Sequence, residues 1–189
     1  MLDPKTTALV LIDLQKGIVA NPALAPRPGS DVVANAIRTA ERFRAAGAPV
    51  VLVHVAFAKD YADMPNRDVG QPMQLPPEGL PDEWSTFVDG LQAKGDLIVL
   101  KRHWGAFYGT DLDLKLRRRG IRTIVLGGIS TNFGVESTAR QAWEHAYKLQ
   151  IVEDLCAGPS TEAHDFAVKT IFPRLSHVIT STDIEFATN

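Results

Sequence analysis

Six short apolar runs punctuate the chain, at residues 7–13, 49–57, 97–101, 121–126, 149–152 and 176–180. The first two, TALVLID and PVVLVHVAF, stay apolar without alternating, which marks strands buried on both faces. Helical patterns lie between the runs. Val33, Ala36, Ile37, Ala40 and Phe43 recur at helical spacing, with Ser30 or Asp31 as the expected cap and Gly47 as the stop. Residues 110–119 read as a helix of mixed register ended by Gly120. Residues 132–147 read as another, and 161–172 as a third that opens at a Ser-Thr cap. Strands alternating with helices at this spacing predict right-handed crossovers. The fold class is therefore α/β: a mainly parallel six-stranded sheet with helices on both faces, in three layers.

Two stretches break the rhythm. Residues 21–30, NPALAPRPGS, carry three prolines and form a loop. Residues 58–95 contain prolines 65, 72, 76, 77 and 81 and show no periodicity, as expected of a cover or an interface rather than a second domain. A length of 189 residues fits a single domain over 1–189.

In a parallel sheet, ligands bind at the carboxyl ends of the strands. That rule selects Asp13 after strand one, His54 near the end of strand two and Lys101 at the end of strand three. It also selects residues 127–134 after strand four, and Glu153 and Asp154 at the end of strand five. Asp13 follows an apolar run and is costly to bury unless paired. Lys101 is its natural partner. Position alone leaves two readings open: an acid/base group tuned by a cation, or a structural ion pair.

Composition narrows the partners. A formal net charge of -2 gives no electrostatic reason to expect nucleic acid or an anionic membrane. No apolar run is long enough to span a bilayer, and the N-terminus does not read as a signal peptide. The lone Cys156 excludes an intrachain disulfide and suits a cytoplasmic location. Cys156 sits in apolar surroundings and is expected to be inert packing. The five histidines show no metal-ligand spacing. Gly128-Ile129-Ser130-Thr131-Asn132 partly matches a nucleophile elbow, with Asp154 and His164 or His177 downstream, but Asn132 replaces the second glycine. A capping or oxyanion-shaping role for Ser130 is the stronger expectation. The 117–119 arginine run reads as a solvated helix end. Trp104 reads as a pocket wall beside Lys101, while Phe107 and Tyr108 are open between core and pocket.

Three blocks together resemble the isochorismatase-like hydrolase superfamily, which includes isochorismatases, nicotinamidases and N-carbamoylsarcosine amidohydrolases. They are ALVLIDLQ from Ala8, VLKRHWGAFYGT from Val99 and LGGISTNFGVESTA from Leu126. The resemblance covers almost the whole chain and implies a Rossmann-like sheet in a homo-oligomer, a dimer or tetramer. It implies an Asp-Lys-Cys triad in which Asp13 and Lys101 match and the cysteine position falls on Gly134. It further implies a cis peptide at Ile129-Ser130, an oxyanion hole from the Ser130 and Gly134 N–H groups, and a pocket wall of Gln15, Trp104, Phe107 and Phe133. The metal-binding Asp-x-His of nicotinamidases is missing, so neither a metal nor another cofactor is expected. Without a thiol at position 134 the covalent amidase route is closed there. The expected activity is metal-free, acid/base hydrolysis of a vinyl ether or related C–O or C–N bond in a small molecule. A non-catalytic binder or assembly unit, and an amidase with another nucleophile, are the alternatives.

Overall fold

The structure, a computed structural model, describes residues 1–187. Its centre is a six-stranded sheet in the order β3-β2-β1-β4-β5-β6. The strands are β1 Thr7–Ile12, β2 Val50–Val55, β3 Leu97–Lys101, β4 Thr123–Ile129, β5 Lys148–Ala157 and β6 His177–Ile179. Every pairing is parallel. The α/β class and the six strands are therefore as the hydrophobic pattern predicts, and the sheet is fully rather than mainly parallel.

The buried runs divide by parity, because successive side chains leave a strand on opposite faces. From β1, Ala8, Val10 and Ile12 enter one core, with Leu112 and Leu116 of α3 (Leu112–Arg117) and Ala139 and Ala142 of α4 (Glu136–Glu144). Leu9 and Leu11 enter the other, with Val32, Ala36, Ala40 and Phe43 of α2 (Gly29–Ala45). This two-sided burial is why neither strand alternates in sequence. A short α1 (Lys16–Val19) follows β1, and α5 (Thr161–Phe166) follows β5. No helix of the described residues is long and apolar enough to cross a membrane.

Several boundaries differ from expectation. The α2 helix is capped by neither Ser30 nor Asp31. Its N-cap is Pro28 (φ -66°), with no side-chain cap. A Cβ on Gly29 would lie 2.4 Å from Val19 O, so Gly29 lets the helix begin one step earlier against α1. The helix expected over 132–147 opens as a π-turn, Thr131–Val135, before α4 begins. The helix expected over 161–172 is α5 followed by a π-turn and a short 3-10 turn, with Ser160 Oγ capping Ala163 N as anticipated. β5 runs past 152, with a register shift opposite Leu126–Gly128, so Glu153, Asp154 and Cys156 lie inside the strand rather than beyond it. Residues 58–95 are irregular apart from one 3-10 turn, Asp82–Ser85.

Candidate active site

At the carboxyl end of the sheet the chain leaves β1 through Asp13. Its φ of 53° is left-handed, a region non-glycine residues seldom occupy and one enriched at functional sites. The Asp13 N–H still donates to Val53 O at 2.9 Å, which fixes the turn to β2. Lys101 ends β3, two strands away in the sheet, and reaches across β2. Its Nζ lies 2.7 Å from Asp13 Oδ2 and donates to His103 O at 2.9 Å. Both side chains are buried, at 2% and 6% exposure. Burial pushes the Asp13 carboxyl up to about 6, against the opposing pull of the Lys101 ammonium. Asp13 Oδ1 is buried and bonded to no atom of the described residues. One carboxylate oxygen is thus held by the lysine, and the other is buried without a hydrogen-bond partner among the described residues.

β4 supplies the facing wall. Gly128 permits the close approach: its φ is 132°, and a Cβ there would lie 2.1 Å from Ile12 O. Two residues on, the Ile129–Ser130 peptide is cis, and the π-turn follows. Ser130 O accepts from Phe133 N at 3.2 Å and Val135 N at 3.1 Å, while the Ser130 side chain makes no cap bond. The capping expectation for Ser130 is therefore corrected: its carbonyl, rather than its hydroxyl, organises the turn. Gly134 is buried. A Cβ there would stand 3.2 Å from Asp13 Oδ2 and 2.7 Å from Ile12 Cγ2. The side-chain position at 134 thus faces the acid, and Ile12 occupies part of its space.

The expected pocket residues separate into two groups. Trp104 and Phe133 come together, with ring centroids 4.7 Å apart and exposures of 63% and 39%. They form an exposed aromatic pair, close in sequence to Lys101 and Gly134. Phe107 and Gln15 do not join it. Phe107 is buried in the core and packs on His145 and Tyr147. The Gln15 amide is spent on backbone: Nε2 donates to Val55 O and Trp84 O, and Oε1 accepts from Val55 N. A buried amide without such partners would be costly, so Gln15 pins β2 to the 82–86 turn. His54 is held similarly, with Nδ1 2.9 Å from Ser85 O. Cys156 is fully buried, and burial pushes its thiol up to about 12. The serine-triad arrangement is not assembled. Asp154 accepts from Ser181 N and Ser181 Oγ, and His164 bonds Thr131 rather than Ser130.

Reading the sequence missed the residues that hold this turn. Thr131 Oγ1 lies 2.9 Å from His164 Nδ1, both side chains fully buried, and Asn132 Nδ2 donates to Ala163 O, so two bonds clamp the π-turn to α5. Thr138 Oγ1 donates to Gly134 O at 2.6 Å and accepts from Ala106 N at 3.1 Å, which ties the loop after Lys101 to α4. Burial, and then the Arg27 guanidinium, hold His164 below the ordinary imidazole range. The sequence reading named His164 only as a possible triad member for Ser130, and nothing in the spacing pointed to its bond with Thr131, the first residue of the turn.

The architecture is that of the Rossmann-like α/β enzymes, with ionisable groups gathered at the carboxyl ends of the strands. The isochorismatase domain matches residues 7–183, and the chain belongs to the isochorismatase family, a hydrolase of that superfamily. It is 50% identical to the uncharacterized isochorismatase family protein YecD of Escherichia coli O157:H7, over 94% of this chain and 93% of that one. It is 32% identical to the ureidoacrylate amidohydrolase RutB of Rhizobium rhizogenes, over 81% and 71%. Among solved structures, an isochorismatase family protein from Burkholderia thailandensis superposes with a TM-score of 0.89 at 47% identity, covering 97% of this chain and 95% of that one. The N-carbamoylsarcosine amidase of Thermoplasma acidophilum superposes at 0.75 and 30% identity, covering 95% and 99%.

Proposed function

We propose that this hydrolase cleaves a C–O or C–N bond of a small molecule by non-covalent acid/base chemistry, with Asp13 as the proton carrier and water as the nucleophile. The observation that carries the reading is the division of labour in one carboxylate. Asp13 Oδ2 is fixed by Lys101 at 2.7 Å, while Oδ1 is buried without a protein partner. A carboxyl raised to about 6 exchanges its proton near neutral pH, where general acid–base catalysis is efficient. Lys101 orients the carboxyl and stabilises its charge once the proton has left. Gly134 puts bare backbone beside Asp13, and the Ser130 and Gly134 N–H groups supply donors for a developing oxyanion. Trp104 and Phe133 offer an exposed aromatic pair for the apolar part of a substrate. The protonated carboxyl gives its proton to the substrate, water adds to the activated carbon and returns a proton to Asp13, and the adduct collapses with cleavage of the C–O or C–N bond, the oxygen or nitrogen leaving as an alcohol or amine.

A second reading, in which the bond cut is the amide of a ureido or carbamoyl compound, is favoured by what the relatives near 30% identity are named for. In that case Asp13 acts first as a base on water. A hydrolase screen over vinyl ethers, carboxamides and ureido acids tests both. Turnover should fall at least ~10²-fold in Asp13→Asn, the lower bound of a general acid–base contribution. Undiminished turnover in a folded Asp13→Asn protein contradicts both readings.

A further inference from the structure

The amino ends of the strands carry a second concave surface, with a pattern of its own. Four neighbouring strands, in the order β3, β2, β1 and β4, enter the sheet side by side, and the segments about their entries each bring one cation to a groove of about 450 Å³. Lys94 precedes β3, Arg44 comes from the end of α2 ahead of β2, Lys5 precedes β1, and Arg119 precedes β4. Among the described residues the groove is lined by one carboxylate, Asp96, and it is already spent. Its oxygens take the Arg44 guanidinium at 3.0 and 2.7 Å and the Ala93 N–H at 2.8 Å. Lys5, Lys94 and Arg119 form no ion pair among the described residues. On a chain of net charge -2, three positive side chains without an ion pair among the described residues line one hollow.

The rest of the lining is equally specific. Arg44 is locked, since it also donates to Leu91 O at 2.7 Å, so one cation needs no ordering on binding. Gly47 and Gly95 edge the groove at φ 76° and 99°, and a Cβ on either would meet nothing within 4 Å. A ligand can therefore approach both turns closely. Half-buried Pro49 gives the floor an apolar strip, with Ile121 buried beneath it. Guanidinium and ammonium groups converging on one hollow match phosphate oxygens in charge and geometry. The volume exceeds that of an inorganic ion and suits an organic group resting on the strip.

We infer that this groove is a binding site for an organic phosphate carrying two or more negative charges, held by Lys5, Lys94 and Arg119 with its carbon part over Pro49. It lies at the opposite end of the strands from Asp13, roughly 20 Å away for six residues of strand. It is independent of which bond the hydrolase cuts.

Calorimetric titration of the whole protein with ADP and with inorganic pyrophosphate, at fixed ionic strength and without added metal, tests it. ADP should bind in the submillimolar range and more tightly than pyrophosphate. In Lys5→Ala/Lys94→Ala, two exposed side chains without partners, ADP binding should weaken at least about tenfold while the unliganded Tm stays unchanged. Absence of ADP binding, or equal affinity in the double variant, overturns the site. Equal affinity for ADP and pyrophosphate overturns the role given to the apolar strip. None of these readouts depends on turnover.

Discussion

Replacing Asp13 with asparagine should stabilise this protein above neutral pH, the opposite of what a structural salt bridge predicts. Asn is nearly isosteric with a protonated aspartate. The Asp13 carboxyl moves from its ordinary 3.8 to about 6 on folding, because burial opposes its ionisation more than Lys101 favours it. Its folded value therefore lies above its unfolded one. The stability this confers is complete at pH values below the unfolded value, and it is lost as pH rises through about 6. The difference amounts to about 3 kcal/mol for this group alone. Near pH 4 both proteins present a neutral side chain to Lys101 and should be about equally stable. At about pH 8 the wild type has ionised Asp13, and Asp13→Asn should be the more stable by up to about 3 kcal/mol, a Tm rise of roughly 6–12 °C for a chain of this size. Urea unfolding of both proteins at the two pH values is the assay. A variant that is 3–5 kcal/mol less stable at about pH 8, the usual cost of breaking a net-favourable buried pair, would refute the reasoning. Stability given up for a charge in a cleft is a familiar trade at active sites.

Other outcomes follow from the same geometry. Gly134→Ala places a methyl 2.7 Å from Ile12 Cγ2 and 3.2 Å from Asp13 Oδ2; the overpacking should cost about 1–3 kcal/mol in urea unfolding. Thr131→Val leaves buried His164 Nδ1 without a partner and should cost about 1–3 kcal/mol, whereas Thr131→Ser keeps the hydroxyl and should cost less; comparison of their unfolding midpoints checks this. Cys156, fully buried with its thiol pushed up to about 12, should resist a chromogenic thiol reagent in the native protein and react fully in urea.

How far the site could be read from residues depended on the range of the interaction. Asp13 and Lys101 were legible because an ionisable residue at the end of an apolar run is a local anomaly, and sheet topology brings both to one end. Gly134 was conspicuous only through the resemblance, as a missing side chain. The polar residues that hold the turn were hidden. His164 meets Thr131 from a helix 33 positions away, and no local pattern records such a contact. Gln15 failed in the opposite sense. It lies two residues after Asp13, yet both are past the end of β1, and the left-handed turn at Asp13 leaves the Gln15 amide bonded to Val55 and Trp84. Phe107 failed similarly, since an aromatic three residues beyond Trp104 looks equivalent until the loop folds it onto His145. The α2 start was misread because backbone contact at Gly29, rather than a capping hydroxyl, decides where that helix begins.

The central claim is that Asp13 supplies the proton. It is tested most directly by the pH dependence of kcat/KM for wild type and Lys101→Met, on the substrate turned over in the screen. The account predicts a profile governed by one group near pH 6, falling above it for a C–O substrate protonated by Asp13 and rising through it for an amide on which Asp13 acts as base. In Lys101→Met the limb should move to higher pH, since the ammonium is what lowers the Asp13 value. A profile flat from about pH 5 to 8, or a limb that Lys101→Met leaves in place, would contradict it.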